Sequence, residues 1–321
     1  MEKDKKIKPQ VLKPGDTIAV VVLSAPEADL NPDNFRAGIS YLENKGYKVL
    51  IAPHALHKKG YMVADPNIQA NDLGWAFSNP EIKAIFLAGG GYNANRLLPF
   101  IDYNFTRKSP KIIIGMSNMC VILNAIWAKT KLVSFYGPSV IWNLGASEGI
   151  DSYSESLLWK ALSCPEPIGE IPILKEREVI SPGKARGLLI GGNLTSMESL
   201  LGTPYEPDWT GAIFFWEDCF MEIHTVDTIL THFALSGVFN KISGMVIGRP
   251  LEIKEEEFTD APTLPDVIRD ICDQFKIPIL YNVDFGHNTE KATLPIGIEA
   301  EIDCNEKRFT ILESSTQDGG E

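Results

Sequence analysis

One serine stands in a setting built for chemistry. Ile112-Ile-Ile-Gly-Met-Ser-Asn-Met119 runs a buried apolar stretch, a glycine and one further residue into Ser117, directly ahead of a helical segment. Such a turn lifts a hydroxyl off a sheet edge in the manner of a nucleophile elbow, although Met119 occupies the place of the last glycine in Gly-x-Ser-x-Gly. At the helix start the N–H of Asn118 can face a developing oxyanion, and the helix dipole favours negative charge there. The same turn equally suits a serine that only caps the helix.

A second candidate is Leu87-Ala-Gly-Gly-Gly-Tyr-Asn-Ala-Asn95. Without Cβ atoms, the three glycines let the backbone come close to a ligand and present N–H donors, or simply let the chain turn. Gly-x-Gly-x-x-Gly is absent and no Lys-Ser/Thr pair follows, so the segment carries little sign of nucleotide binding.

A serine nucleophile needs a base, and the base needs an orienting group. His287 follows an apolar run in Asp284-Phe-Gly-His-Asn288, where a strand-end glycine frees the ring; a purely structural histidine fits the same position. His224 and His232 lie eight residues apart on one helical stretch. His54 and His57 have metal-ligand spacing without a third ligand nearby, and no metal is expected. Glu217 closes Ala212-Ile-Phe-Phe-Trp-Glu217, where a buried strand leaves the core, with Asp218 as its rival. The acidic run at 252–257 reads as a solvated loop.

The elements that must hold these residues alternate short apolar runs with amphipathic ones, the pattern of βα units on a parallel sheet. Strands are expected at 17–23, 47–52, 82–88, 111–114 and 132–135, and helices at 32–44, 67–77 and 119–129. In the second half, strands are expected at 212–216, 244–247 and 277–283, and helices at 223–235 and 264–275. The reading is an α/β chain with two units: an N-terminal Rossmann-like parallel-sheet domain at 1–145 and a smaller C-terminal β-rich α/β domain at 186–313. A Pro- and charge-rich connection at 146–185, with a helix near 153–162, joins them, and 314–321 is a frayed tail. In such a sheet, the loops after the strands face the binding crevice, which is where Ser117, the glycines, Glu217 and His287 all fall.

Composition narrows the partners. At 321 residues the chain is long enough for two cores, and its formal charge of −12 repels phosphate backbones and anionic lipid surfaces. Neither nucleic acid nor membrane is an expected partner. The first nine residues lack an apolar h-region, and no run reaches the roughly 18 apolar residues of a membrane span. Five scattered cysteines form no Cys-x-x-Cys pair, which fits reduced thiols in the cytoplasm.

Three ordered blocks carry a resemblance: Gly-Gly-Tyr-Asn-Ala-Asn-Arg-Leu-Leu-Pro-Phe-Ile-Asp-Tyr (90–103), Pro-Lys-Ile-Ile-Ile-Gly-Met-Ser-Asn (110–118) and Ala-Lys-Thr-Lys-Leu-Val-Ser-Phe-Tyr-Gly-Pro (128–138). With Gly-Gly-Asn-Leu-Thr (191–195), Leu-Leu-Gly-Thr-Pro-Tyr (200–205), Glu217-Asp218, Gly286-His287 and Thr-Leu-Pro-Ile-Gly (293–297), the chain is similar to the LD-carboxypeptidase family of serine peptidases, from residue 14 to about 312. The resemblance implies a Ser117–Glu217–His287 triad, an oxyanion hole from the N–H groups of Asn118 and Gly91, and a metal-free homodimer without cofactor. Gly90, Tyr92 and Asn93 become candidates for contact with a small peptide or muropeptide. It implies release of terminal D-alanine from murein tetrapeptide in cell-wall recycling. Two alternatives stay open: a microcin C-like detoxifying peptidase acting on a peptide-nucleotide, and a non-catalytic peptide-binding protein of the same fold. The family usually carries Tyr-Ser-Asp where this chain has Met116-Ser117-Asn118. The long tryptophan-bearing insertion of the immunity branch is absent before Gly191.

Overall fold

The computed structural model describes residues 5–254 and 262–318. Two sheets dominate it, and their strands are β1 Thr17–Val21, β2 Lys48–Ile51, β3 Ile82–Leu87, β4 Ile112–Gly115, β5 Ser134–Tyr136, β6 Gly169–Glu170, β7 Glu178–Ser181 and β8 Lys184–Asn193. The later strands are β9 Ile213–Glu217, β11 Gly244–Gly248, β13 Ile279–Val283, β14 Leu294–Ile296, β15 Glu299–Asp303 and β16 Arg308–Ile311, while β10 Cys219–Glu222 and β12 Leu251–Lys254 pair in a small separate sheet. Of the acidic run at 252–257, residues 252–254 are in β12, paired with β10, and the rest lie outside the described residues.

The first sheet has the order β14-β5-β4-β3-β1-β2. Its five N-terminal strands are parallel. β1, β4 and β5 are buried along their whole length, as expected of apolar runs covered on both faces, whereas the edge strand β2 is open at both ends. In the order 2-1-3-4-5 the chain reverses direction between β1 and β3, and the crevice of an open α/β sheet lies beyond the strand ends at that reversal. Ser24 follows β1 there, the glycine loop follows β3, and Ser117 follows the next strand, β4.

The second sheet has the order β6-β16-β15-β8-β9-β11-β13-β7. Its centre, β8-β9-β11-β13, is parallel, and antiparallel strands flank it. Glu217 therefore stands at the C-terminal end of a fully buried central strand. His287 stands just past the end of β13.

Three details depart from the expected layout. The first sheet takes its sixth strand, β14, from the far end of the chain, antiparallel to β5; Pro295 is tolerated because β14 is an edge. The stretch at 146–185 is more than a connection. Its helix Ser152–Ser163 receives the N–H of Leu12 through Leu162 O at 2.9 Å, and β6 and β7 close the two edges of the second sheet. Of the tail expected at 314–321, Ser315 and Thr316 are instead buried, donating to Ala161 O at 3.0 Å and Cys164 O at 2.9 Å, while 319–321 lie outside the described residues. Composition suggested a tail because Ser and Thr are usually solvated, but here their hydroxyls satisfy carbonyls left over at the end of a helix. Gln317 adds two backbone bonds, accepting from Val11 and donating to Pro9. Cutting the chain after Ser314 removes these four bonds. At about 1 kcal/mol each, it is expected to lower the unfolding free energy by about 4 kcal/mol in a urea titration, whereas a free tail would leave the titration unchanged.

Candidate active site

Ser117 sits in the left-handed region, at φ 60°. A non-glycine residue held there is strained, and the sharp turn it makes carries the chain from β4 into the 3₁₀ turn Ser117–Met119 and the helix Cys120–Thr130. The capping alternative does not hold. Met116 takes the N-cap position, and Ser117 Oγ has no hydrogen-bond partner among the described residues. The N–H groups of Asn118 and Gly91 likewise take no partner among them.

The glycine loop lies directly over this turn. A Cβ on Gly90 would come 3.1 Å from Ser117 Oγ and 4.0 Å from Asn118 N, so the missing side chain keeps that space open. Gly91, at φ +141°, passes so close to Ser24 that a Cβ would meet its Oγ at 2.4 Å. Ser24 Oγ accepts the N–H groups of Tyr92 and Asn93 at 3.0 and 3.1 Å, and it lies 2.8 Å from Asn93 Oδ1. Asn93 is buried in holding the loop, whereas Tyr92 is 86% exposed. Gly90 N–H donates to Glu27 Oε2 at 3.1 Å, and the same oxygen accepts Trp142 Nε1–H at 2.8 Å.

From the second sheet come Glu217 and His287. His287 Nδ1 lies 2.7 Å from Glu217 Oε2, and the backbone N–H of His287 donates to the same oxygen at 3.1 Å. Gly286, at φ +112°, makes the turn that allows this: a Cβ there would come 2.8 Å from Glu217 Oε2. The other carboxylate oxygen, Oε1, accepts the Tyr136 hydroxyl at 2.6 Å, and Tyr136 Oη accepts the N–H of Ser117 at 3.1 Å. Ser117, Tyr136, Glu217 and His287 thus form one chain of hydrogen bonds across the two sheets. Burial works against both charges. The attraction between them wins, holding the Glu217 carboxyl below its ordinary range and raising the His287 imidazole above 6.5.

Residues 18–137 match the LD-carboxypeptidase N-terminal domain and residues 186–302 the LD-carboxypeptidase C-terminal domain. This chain belongs to the LD-carboxypeptidase family. Among its relatives, the microcin C7 self-immunity protein MccF of Escherichia coli is 30% identical, covering 93% of this chain and 94% of its own. The probable murein peptide carboxypeptidase of Bacillus subtilis is 29% identical over 97% and 96% of the two chains. The solved structure of MccF in the wild-type apo state superposes with a TM-score of 0.88 at 28% identity, covering 97% of this chain and all (100%) of the other.

Against the family pattern, Asn118 in place of an aspartate fits its surroundings. Its Oδ1 accepts Ala94 N–H at 2.8 Å, and its Nδ2 donates to Ser196 Oγ at 3.2 Å. Ser196 gives its only hydroxyl proton to Asn193 Oδ1 at 2.7 Å, so a donor is what position 118 must supply. Asn193 Nδ2 continues to Asp218 Oδ1 at 2.8 Å. Asp218 is thereby separated from Glu217: its oxygens serve Asn193, Thr195 and Cys219, whereas the His287 ring pairs with Glu217 and also meets the Cys219 side chain.

The other sequence candidates lie elsewhere. His54 Nδ1 is 2.7 Å from Asp72 Oδ1, His232 pairs with Glu198, and no three metal-binding side chains cluster among the described residues. Sequence reasoning passed over Ser24, Tyr136, Asn193 and Ser196. Each follows or ends a strand of one sheet or the other, and that placement was the only signal available. Gly90→Ala puts a methyl 3.1 Å from Ser117 Oγ. It is expected to lower peptidase kcat/KM by about 10²-fold with an unchanged unfolding midpoint; full activity would show that the space over Ser117 is not used.

Proposed function

We propose that this chain is a serine LD-carboxypeptidase that releases terminal D-alanine from murein tetrapeptide. Ser117 is its nucleophile, His287 its base and Glu217 the orienting acid. The observation that carries the reading is the 2.7 Å Glu217–His287 pair, linked through Tyr136 to the backbone of a strained serine. With Nδ1 engaged by Glu217, Nε2 of His287 takes the Ser117 proton as Oγ attacks the scissile carbonyl, exchanging its neighbour Cys219 for the serine hydroxyl. The N–H groups of Asn118 and Gly91 receive the oxyanion. The imidazolium then hands its proton to the leaving amine of D-alanine, and water, activated by the same base, frees the acyl group from Ser117.

The short segment ahead of Gly191 supports the murein substrate, because it is spent on the edge strands β6 and β7 and offers no long insertion. A second reading, cleavage of an amide in a peptide-nucleotide, draws on two exposed rings beside the glycine loop. Tyr92 follows Gly91, and Trp142 is 51% exposed and tied to Glu27. Side-by-side assay of both substrates separates the two. Assembly as a homodimer rests on the family resemblance and is checked by sedimentation; a cytoplasmic location is supported by the five unpaired cysteines.

Ser117→Ala is expected to cut D-alanine release by roughly 10⁴- to 10⁶-fold, and unchanged release would end the proposal. Because the base must be neutral and Glu217 raises its pKa, kcat/KM is expected to rise with pH through a midpoint above the ordinary 6.5 of histidine. Glu217→Gln removes the charge that favours the imidazolium, so the midpoint should move back down while kcat falls about 10⁴-fold. A profile flat across this range would count against His287 as the base.

A further inference from the structure

We infer that Tyr136 is a positioning residue of this site, one hydroxyl that sets both the serine turn and the orienting carboxylate. The inference rests on the triad reading above and extends it to a residue of the first sheet outside that triad.

Tyr136 ends β5 and is 1% exposed. Its ring is packed 5.9 Å from that of Phe215 on β9, and a Cβ on Gly192 would lie 3.5 Å from its Cε2, so the second sheet fixes its direction. A phenol has one proton to give and lone pairs to accept with. Here the proton goes to Glu217 Oε1 at 2.6 Å, and the oxygen accepts Ser117 N–H at 3.1 Å. Burial and the neighbouring Glu217 charge push the phenol well above its ordinary 10, so it remains a donor throughout the working range of pH.

Two consequences follow. Glu217 is fully buried, and His287 occupies only its Oε2; without Tyr136, Oε1 would be an unpaired charged oxygen in the core, free to rotate away from the imidazole. At the other end, the bond to Ser117 N–H holds a residue at φ 60°, where the backbone would otherwise relax and carry Oγ with it. The hydroxyl therefore couples the two halves of a site that no single sheet contains. It also draws charge from the carboxylate, which weakens the grip of Glu217 on the imidazolium.

Tyr136→Phe keeps the ring and deletes the hydroxyl. In the full-length protein, kcat for D-alanine release from murein tetrapeptide is expected to fall about 10²-fold with KM little changed, and the acid limb of kcat/KM to move to higher pH. An NMR titration of His287, which needs no substrate, should show the same upward move. In a Glu217→Gln background the further loss should shrink to a few-fold, because the partner through which Tyr136 acts is already changed. Wild-type kcat with an unmoved His287 titration would overturn the inference, as would an undiminished loss in the Glu217→Gln background. If Ser117→Ala and Glu217→Gln themselves keep full activity, the triad reading has failed, and the His287 titration still decides whether Tyr136 acts on the pair.

Discussion

A carboxylate with no access to water governs the design of this protein. Taking an ionised side chain out of solvent costs several kcal/mol unless donors replace the lost water, and Glu217 is 0% exposed. Three donors meet it: the His287 ring, the His287 backbone and the Tyr136 hydroxyl. Each requires something of the fold. The His287 backbone can reach Oε2 because Gly286 turns with positive φ and no Cβ. Gly248 also needs to be bare, since a Cβ there would lie 2.8 Å from that of Glu217. Tyr136 must arrive from another sheet altogether.

That last demand explains how tightly the halves interlock. Gly192 strips the end of β8, so that the helix after Ser117 can lie against it, since a Cβ there would overlap that of Cys120 at 2.3 Å; Gly191 is bare towards β9, where a Cβ would meet Phe215 O at 1.7 Å. Asn124 on the same helix donates to Gly191 O at 2.8 Å. Asn118, Ser196, Asn193 and Asp218 make a second polar path beside the first. β14 passes from the C-terminal half into the first sheet. Ser117 and the Glu217–His287 pair, carried on separate sheets, can keep a fixed distance only if the sheets do not slide, and packing of bare backbone with polar cross-links prevents sliding.

Much of this could be read along the chain. The apolar period of β1, β3, β4, β9 and β11, the helix at Pro32–Asn44 and the helix at Ile223–Leu235 are local signals, and the structure has them within a residue or two. Ser117, Glu217 and His287 were legible as polar residues at the ends of apolar runs, and ordered family blocks joined them. Tyr136 was not, because a tyrosine closing a buried strand looks like core, and its hydroxyl acquires meaning only from what it faces. β14 was invisible for a related reason: three residues with a proline carry almost no propensity, and their partner strand is more than 150 residues away.

By itself, the sequence determined the elements, the charge, the family and which side chains stand at strand ends, since each of these depends on near neighbours or on ordered motifs. Only the tertiary structure set Glu217 against His287 and gave Asp218 other donors, placed Met116 instead of Ser117 at the N-cap, turned Asn93 inward and buried Ser315 and Thr316. Those outcomes depend on contacts between segments far apart in the chain. In a buried site the assignment goes to whichever carboxylate the distant donors reach, and no local pattern encodes that.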